Sequence, residues 1–343
     1  MSSNNDDMFA DAARQVLADQ CTPHVVRAIE TGGNAAAQTQ ALWNQLEETG
    51  LADAMLSEER GGAGLGLGDV FGVLEQCGAH ALPLPLADTM VARALLAQAG
   101  VDAPKSRIVL ARAARGSDGG VHAALVRDAR AAQSALVQWG DEWRLLDLND
   151  AALSPQALAL DAGARWSAEQ WQAAPRLALS ADCDARMLQA AVVAAQMAGA
   201  LKTVFDRTLQ YANERQQFGR PIGKFQAIQH QLAVMSEHVF AARMAAQLAC
   251  SGKAVQGDRL RVATGKARCS QAALAVSETA HAIHGAIGFT EEYDLQLFTR
   301  RLHAWRQTAG SESYWQGVAG DALLDAQGLT LDTVRRITDV QAA

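Results

Sequence analysis

The chain has 343 residues, 49% of them hydrophobic but only 5% aromatic, so Ala, Leu and Val provide most of the apolar surface. This length allows two or three domains with a sizeable core, and the composition favours closely packed helices. A net charge of -7 argues against nonspecific binding to nucleic acid or to an anionic membrane.

The five cysteines are scattered, and no two of them form a C-x-x-C pair. We interpret them as buried free thiols of a protein in a reducing cytosol. Residues 1–7 are polar and acidic, unlike a signal peptide. No uncharged apolar run reaches the roughly 18 residues of a membrane span, so we expect a cytoplasmic protein.

Residues 8–103 show helical spacing of apolar side chains. A glycine-rich break at 61–68 lacks the Gly-Lys-Ser/Thr ending and the preceding strand of a phosphate loop, so it is predicted to be a structural turn. Asp69 is predicted to cap a helix carrying Val70, Val73 and Leu74, and prolines 83 and 85 end that stretch.

Residues 107–178 change character. Val121–Val126 and Ala135–Trp139 suggest short strands, and a turn at residues 140–142 before Trp143–Leu148 predicts a hairpin. A segment of this length could form a small sheet but not a large barrel.

From Asp182 onward the pattern is helical again. Helices are predicted at about 184–214, from Phe225, at 258–283, at 294–308 and from Glu312. Pro221 belongs near a helix boundary, so residues 215–224 form a joint between two helices. Long helices with short joints suggest an antiparallel bundle.

The joint carries side chains suited to a dinucleotide. Arg215 offers a planar fork of donors for a pyrophosphate, Gln217 a neutral donor and Phe218 an apolar face. Gly219 permits close backbone approach, and the next helix begins here with free N–H groups that favour an anion. On local chemistry alone, a polar connection with ordinary surface arginines fits equally well.

The full string is more specific. Residues 214–226 read Glu-Arg-Gln-Gln-Phe-Gly-Arg-Pro-Ile-Gly-Lys-Phe-Gln, which resembles the E-R-x-x-F-G-x-x-[IL]-x-x-[FH]-Q signature of acyl-CoA dehydrogenases. Residues 280–293 resemble the family's Q-x-[FH]-G-G-x-G-[FY]-T-x-E-[YF] loop, which touches the adenine end of the flavin. Ala282 and Ala286 depart from it, standing for the family's Gln and second Gly. The resemblance covers about residues 40–100 and 182–320.

The resemblance implies a mainly α fold with a helical domain at 1–106, a shortened middle β domain at 107–179, a four-helix bundle at 180–326 and a tail at 327–343. It also implies FAD shared at a subunit interface. The positions that match the family's cofactor contacts are Arg215, Gln217, Phe218, Ile222, Phe225, Gln226, Ile283, Gly285 and Ala286. His281 and His284 could suggest a metal, but no third ligand lies near them in the sequence, and we expect none.

Three departures concern catalysis. The family's T-E-P-x-x-G-S-D segment is missing, and Gly116-Ser117-Asp118, which matches only its end, is predicted to be a turn. The family removes a proton alpha to a thioester with a Glu that corresponds here to Ala309, and a methyl group cannot accept a proton. Other members place the base on the first bundle helix, but no carboxylate lies between Arg186 and Lys202. Glu312 is the nearest substitute.

Three hypotheses follow. The leading one is the small, base-lacking subunit of a heteromeric α2β2 acyl-CoA dehydrogenase, like those of bacterial steroid catabolism. A larger partner then supplies the base and the acyl-CoA pocket, and electron-transfer flavoprotein is the expected acceptor. The second is a complete homomeric enzyme with Glu312 as a displaced base. The third is a flavin-free structural or regulatory homologue.

Overall fold

The computed structural model describes residues 3–31, 35–116, 119–252 and 255–339. Ser117 and Asp118, for which a turn was predicted, lie outside the described residues. Five helices form the N-terminal region: α1 (Ser3–Gln20), α2 (Pro23–Thr31), α3 (Ala35–Glu48), α4 (Phe71–Ala79) and α5 (Leu86–Gln98).

The predicted cap of α4 was wrong. The helix begins at Phe71, and its N-cap is Val70, which makes no side-chain capping bond. The Asp69 carboxylate instead accepts the Gly66 amide at 2.8 Å. Asp69 therefore closes the glycine-rich turn on itself, because the short side chain reaches a nearer backbone donor first.

Helix α4 lies unusually close to the bundle helix α7 (Ala185–Glu214). A Cβ added to Gly78 would lie 1.8 Å from the Gln196 carbonyl oxygen, and one added to Gly199 would lie 1.9 Å from that of Glu75. Only glycine allows this contact between the two backbones. The pair fixes the N-terminal helices against the bundle.

The middle region contains two four-stranded sheets rather than the single small sheet that was expected. One has the order β1-β4-β5-β8 and the other β2-β3-β7-β6. The strands are β1 (Ile108–Arg112), β2 (Ala114–Arg115), β3 (Val121–Val126), β4 (Ser134–Trp139), β5 (Glu142–Asp147), β6 (Ala152–Pro155), β7 (Ala162–Trp166) and β8 (Arg176–Leu177), with α6 (Ala168–Ala173) between the last two.

The predicted hairpin is confirmed as β4 and β5, which pair antiparallel from Trp139 opposite Glu142. The first strand, β1, pairs with β4 in parallel. Strands β2, β6 and β8 have only two to four residues each, too few to show a clear alternation in the sequence.

The C-terminal region is the predicted bundle. It contains α7, α8 (Gln226–Cys250), α9 (Arg259–His284) and α10 (Leu295–Gln307), followed by α11 (Glu312–Asp325) and α12 (Thr330–Thr338), of which α12 was not predicted. Asp184 and Asp258 cap α7 and α9 by accepting two backbone amides each. The predicted mainly α architecture, with a small β region between two helical regions, is thus confirmed, while the proposed domain boundaries stay predictions.

Within the described residues, α7 alone is long and apolar enough to cross a membrane, but 83% of its most apolar window is buried inside the fold. It is the central helix of the core. All five cysteines are buried and unpaired, as predicted.

The bundle has two distinct ends. At one, the Tyr211 hydroxyl near the end of α7 lies 3.4 Å from the carbonyl oxygen of His284, the last residue of α9. At the other, Arg259 at the start of α9 lies 3.6 Å from Asp184 at the start of α7. We call these the hairpin end (residues 211–226 and 283–294) and the Ala309 end (residues 184–187, 258–266 and 306–315).

Candidate functional site

The predicted joint is a miniature β-hairpin. Strands β9 (Gln216–Gln217) and β10 (Arg220–Pro221) pair antiparallel, and the Ile222 amide donates to the Arg215 carbonyl at 2.8 Å. Phe218 and Gly219 form the two-residue turn with φ of 53° and 81°. A turn with two positive φ values suits the twist of a hairpin, but it places a phenylalanine in the left-handed region.

Phe218 is strained and also exposed. Its side chain is 91% accessible, and it meets Phe225 edge-on with ring centroids 6.2 Å apart. The Arg220 guanidinium lies 4.2 Å from the Phe225 ring centroid. Strain held by surrounding structure, combined with an apolar ring in water, is typical of a residue that contacts a ligand or partner.

The joint has the donors and the room for a phosphate-bearing group. Arg215 is exposed, and within the described part of the chain no ion pair or hydrogen bond engages its guanidinium. Phe225 at the N-cap of α8 makes no side-chain capping bond. A Cβ added at Gly219 would meet nothing within 4 Å. These residues therefore fit the pyrophosphate of a dinucleotide.

The second motif lies at the same end of the bundle. Helix α9 ends at His284, and Gly285 follows with φ of 65°, opening a 3₁₀ turn over Gly285–Phe289. Gly285 and Ala286 are exposed, and a Cβ at Gly285 would meet nothing within 4 Å. The structure thus brings the two predicted motifs together.

Two of the nine predicted contacts have buried side chains. Ile222 is 9% exposed and Ile283 7%, and both belong to the hydrophobic core. In this chain their side chains support the surface rather than form it. The exposed or half-buried members are Arg215, Gln217, Phe218, Phe225, Gln226, Gly285 and Ala286.

The Ala309 end is closed by paired polar groups. Ala309 itself has φ of 57°, and its carbonyl accepts the Trp315 indole N–H at 3.0 Å. Lys266 on α9, fully buried, donates at 2.9 Å to each of the Ser270 hydroxyl, the Arg306 carbonyl and the Gly310 carbonyl. Burial lowers the pKa of Lys266 to about 7. Sequence reasoning missed this lysine, because it lies among Arg259, Arg261 and Arg268 on α9 and nothing in the sequence marks it as buried.

Glu312 forms an ion pair with Arg306. Both of its carboxylate oxygens accept from Arg306 Nε, at 2.9 and 3.1 Å, and Arg306 Nη2 adds a further contact. The hydrogen bond from Arg306 is the main cause that lowers the Glu312 pKa. A paired, acidic carboxylate is a weak proton acceptor, which argues against its use as a displaced base.

A third polar cluster fills the junction of the N-terminal helices, the sheets and the bundle. Arg127 is buried, and its guanidinium donates to Asp88 at 3.1 Å and to Gln196 at 2.7 Å. Asp161 accepts the Asp128 amide at 3.0 Å, and burial raises the pKa of both carboxyl groups. The sequence did not predict this cluster, because its members come from three regions.

The two ends are far apart. Helix α7 has 30 residues, which at 1.5 Å per residue span about 45 Å. Arg186 near its start lies against the Tyr314 ring, 4.6 Å from the centroid, beside the Ala309 loop. Arg215 follows its last residue. This separation is much longer than an extended flavin dinucleotide.

Comparison with known proteins identifies the class. Residues 3–117 match the acyl-CoA dehydrogenase N-terminal domain, and residues 186–323 match the C-terminal domain. The acyl-CoA dehydrogenase IpdE2 of Mycobacterium tuberculosis is 31% identical over 314 residues, covering 88% of this chain and 91% of that protein. The chain belongs to the acyl-CoA dehydrogenase family, whose members are FAD-dependent oxidoreductases acting on acyl-CoA.

Further comparisons identify individual relatives within the family. IpdE2 of Mycolicibacterium smegmatis is 29% identical over 286 residues, covering 78% of this chain and 83% of its own. The Tcur3481-Tcur3483 steroid acyl-CoA dehydrogenase G363A variant superposes with a TM-score of 0.82 at 26% identity, over 95% of this chain and 99% of that one.

The ChsE4-ChsE5 complex from Mycobacterium tuberculosis shares the fold, with a TM-score of 0.77 at 19% identity over 94% of this chain and 98% of that one. The predicted resemblance to heteromeric steroid acyl-CoA dehydrogenases is confirmed.

Proposed function

We propose that this chain is the small subunit of a heteromeric, FAD-dependent acyl-CoA dehydrogenase. It contributes the adenosine-pyrophosphate side of the FAD site through the hairpin end, and a larger partner supplies the catalytic base and the acyl-CoA pocket. The assembly is an α2β2 heterotetramer in the cytoplasm that desaturates a bulky, steroid-derived acyl group and passes its electrons to electron-transfer flavoprotein.

The methyl group of Ala309, where the family has its catalytic base, carries this proposal, and the separation of the two bundle ends supports it. Within the described ranges, the residues suited to the dinucleotide lie about 45 Å along α7 from the loop where the family places its base. A flavin bound at the hairpin end therefore reacts beside another polypeptide. The loop at this chain's other end holds a methyl group at Ala309.

In this proposal the chain's own residues bind and orient the flavin. FAD, when bound, supplies the hydride acceptor for α,β-desaturation. In this proposal the Arg215 guanidinium donates to the pyrophosphate, and Gln217 adds a neutral donor. Phe218 presents an apolar face that excludes water from the dinucleotide. None of these side chains needs to exchange a proton with substrate.

Co-expression with a larger, base-containing acyl-CoA dehydrogenase subunit encoded in the same genome tests the proposal. The chain alone should be colourless or poorly soluble, and the co-purified complex should show flavin absorbance near 450 nm and dehydrogenate a bulky acyl-CoA. A yellow, active homo-oligomer of this chain alone would contradict it and favour the complete homomeric enzyme.

The flavin-free structural or regulatory homologue predicts a different result. In that case Arg215→Ala leaves the complex and its activity untouched. The substitutions at Ala282 and Ala286, which alter the adenine-side motif, are the observation that favours this second candidate.

A further inference from the structure

Three aromatic rings connect the two halves of the hairpin end. Tyr211 comes from the last turns of α7, His284 ends α9 and Tyr293 precedes α10. Tyr211 stacks on His284 with centroids 4.4 Å apart, and Tyr293 lies 5.0 Å from His284 and 6.0 Å from Tyr211. His284 is only 4% exposed at the centre of the cluster.

Hydrogen bonds define the protonation of His284. The Ala280 carbonyl lies 2.7 Å from Nδ1 and can only accept, so Nδ1 carries the proton. Nε2 lies 3.3 Å from the Tyr293 hydroxyl and accepts from it. Burial lowers the His284 pKa, which keeps the ring neutral near pH 7.

Tyr211, the ring stacked on His284, is hydrogen-bonded to both motifs. The Tyr211 carbonyl accepts the Arg215 amide at 2.8 Å, which starts the hairpin. The Tyr211 hydroxyl donates to the His284 carbonyl at 3.4 Å, directly before Gly285 and its positive φ. Tyr211 therefore links the hairpin to the Gly285 turn, and the His284 ring stacked on it supports this link.

We propose that His284 is a positioning residue that sets the distance between the hairpin and the Gly285 turn, and that a proton on its Nε2 loosens this connection. A proton there puts a positive charge on a ring that is only 4% exposed, and no carboxylate among the described residues forms an ion pair with it, so the closed arrangement of the cluster is disfavoured. The inference rests on the proposed function only in that the two motifs serve one dinucleotide.

The charged groups around the cluster are paired across several elements. Arg207 of α7 and Arg27 of α2 both bind the Asp294 carboxylate, at 3.3 and 2.8 Å. Glu214 accepts from Gln210 of α7 at 2.8 Å, and on α9 itself His281 lies one turn before His284. Of these, the two histidines are the groups whose ordinary pKa falls between pH 5 and 8.

Hydrogen exchange on the full chain, without flavin, tests the inference. The amides of Arg215 and Ile222 report on the hairpin, and protection factors corrected for intrinsic exchange are compared at pH 7 and pH 5. His284→Phe keeps the stacked ring but removes both nitrogens, and His284→Ala removes the ring. His281→Gln is the control, because His281 stacks on Phe289 and is hydrogen-bonded to Thr299 instead.

In the wild type and in His281→Gln, hairpin protection should fall roughly two- to tenfold between pH 7 and pH 5, the range expected when one aromatic contact is weakened. His284→Phe should show no such acid dependence, and His284→Ala should be weakly protected at both pH values. Acid loss that persists in His284→Phe would overturn the inference, as would unchanged hairpin protection in His284→Ala.

Flavin retention separates this inference from the proposed function. In the co-expressed complex, His284→Ala should release FAD more readily than His284→Phe at pH 7. If no complex ever holds FAD, the proposed function fails, while the exchange result still decides whether His284 couples the two motifs.

Discussion

The two ends of the bundle contrast in how their polar groups are satisfied. At the hairpin end, Arg215 and the strained Phe218 face solvent. At the Ala309 end, Lys266 makes three internal hydrogen bonds, and Arg306 is occupied by Glu312. The hairpin end has side chains free to bind a ligand, whereas the polar side chains named at the Ala309 end are paired within the chain.

This difference assigns separate roles to the two ends. Backbone strain such as that at Phe218 reduces stability and is retained where it serves a function, whereas the exposed Arg215 guanidinium is hydrated until a ligand binds. Satisfied buried groups stabilise the fold but offer nothing to a substrate. Substitutions at the Ala309 end should therefore reduce stability, and those at the hairpin end should reduce flavin binding.

The largest effect is expected at Lys266. Lys266→Met keeps the side-chain volume but leaves the Arg306 and Gly310 carbonyls without their donor, and each unsatisfied buried group costs about 1–3 kcal/mol. We expect the free energy of unfolding to fall by about 2–4 kcal/mol in urea titrations. Lys202→Met, at an exposed lysine paired with Asp206, is the control and should change little.

The same variant has a pH signature. Because burial lowers the Lys266 pKa from 10.5 to about 7, the folded chain loses this proton between those values while the unfolded chain keeps it. Wild-type stability therefore rises with pH across this window. The difference in unfolding free energy between wild type and Lys266→Met should grow from pH 7 to pH 9. A constant difference would show that burial does not lower the Lys266 pKa.

Next in size is Arg215→Ala. Losing a charge-assisted hydrogen bond to pyrophosphate costs about 1.5–3 kcal/mol, so FAD should bind roughly 10- to 150-fold more weakly in the co-expressed complex. The unfolding of the isolated chain should stay the same. Arg335→Ala on α12, an exposed arginine 3.8 Å from Asp332, should keep wild-type flavin content.

Glu312→Gln should have a smaller effect, and this effect should be on stability and not on turnover. Weakening the half-buried pair with Arg306 should cost about 0.5–1.5 kcal/mol, while turnover of the complex should remain within about twofold of wild type. Steady-state kinetics at saturating acyl-CoA measures this. A variant without turnover would show that Glu312 is the base and that the two ends cooperate in one enzyme.

The smallest effect is expected at Phe218, where one substitution separates backbone strain from flavin binding. Asparagine tolerates the left-handed region better than phenylalanine, so Phe218→Asn should raise stability by about 0.5–1 kcal/mol. Flavin retention in the complex should nevertheless fall, because the apolar face is lost. Phe240→Asn on α8, where an exposed phenylalanine has ordinary helical backbone, should bring no such gain.

Much of the helical fold could be predicted, because α7, α8 and α9 carry long periodic patterns, and α7 and α9 begin at the recognisable caps Asp184 and Asp258. The short strands β2 and β8 carry too few residues to show a period. The cap at Asp69 was mispredicted because local competition between backbone donors is not visible in the sequence.

The candidate site was predicted only through its motifs. The string around Arg215 and the loop around Gly285 were found in the sequence, but their contact depends on Tyr211 and His284, which are distant along the chain. Lys266 was missed because its three acceptors come from α9, α10 and the Ala309 loop. Long-range contacts of this kind follow from the packing rather than from any local pattern.

Because the cysteines are buried, their reaction with a thiol reagent reports local unfolding of the chain. Burial raises the pKa of Cys21 to about 12 and that of Cys183 to about 11, so the reactive thiolate is scarce while the fold is closed. The thiols occur in the N-terminal helical region, just before α7 and inside the bundle. Alkylation followed by peptide mapping would therefore show which part of the molecule opens first, without any introduced label.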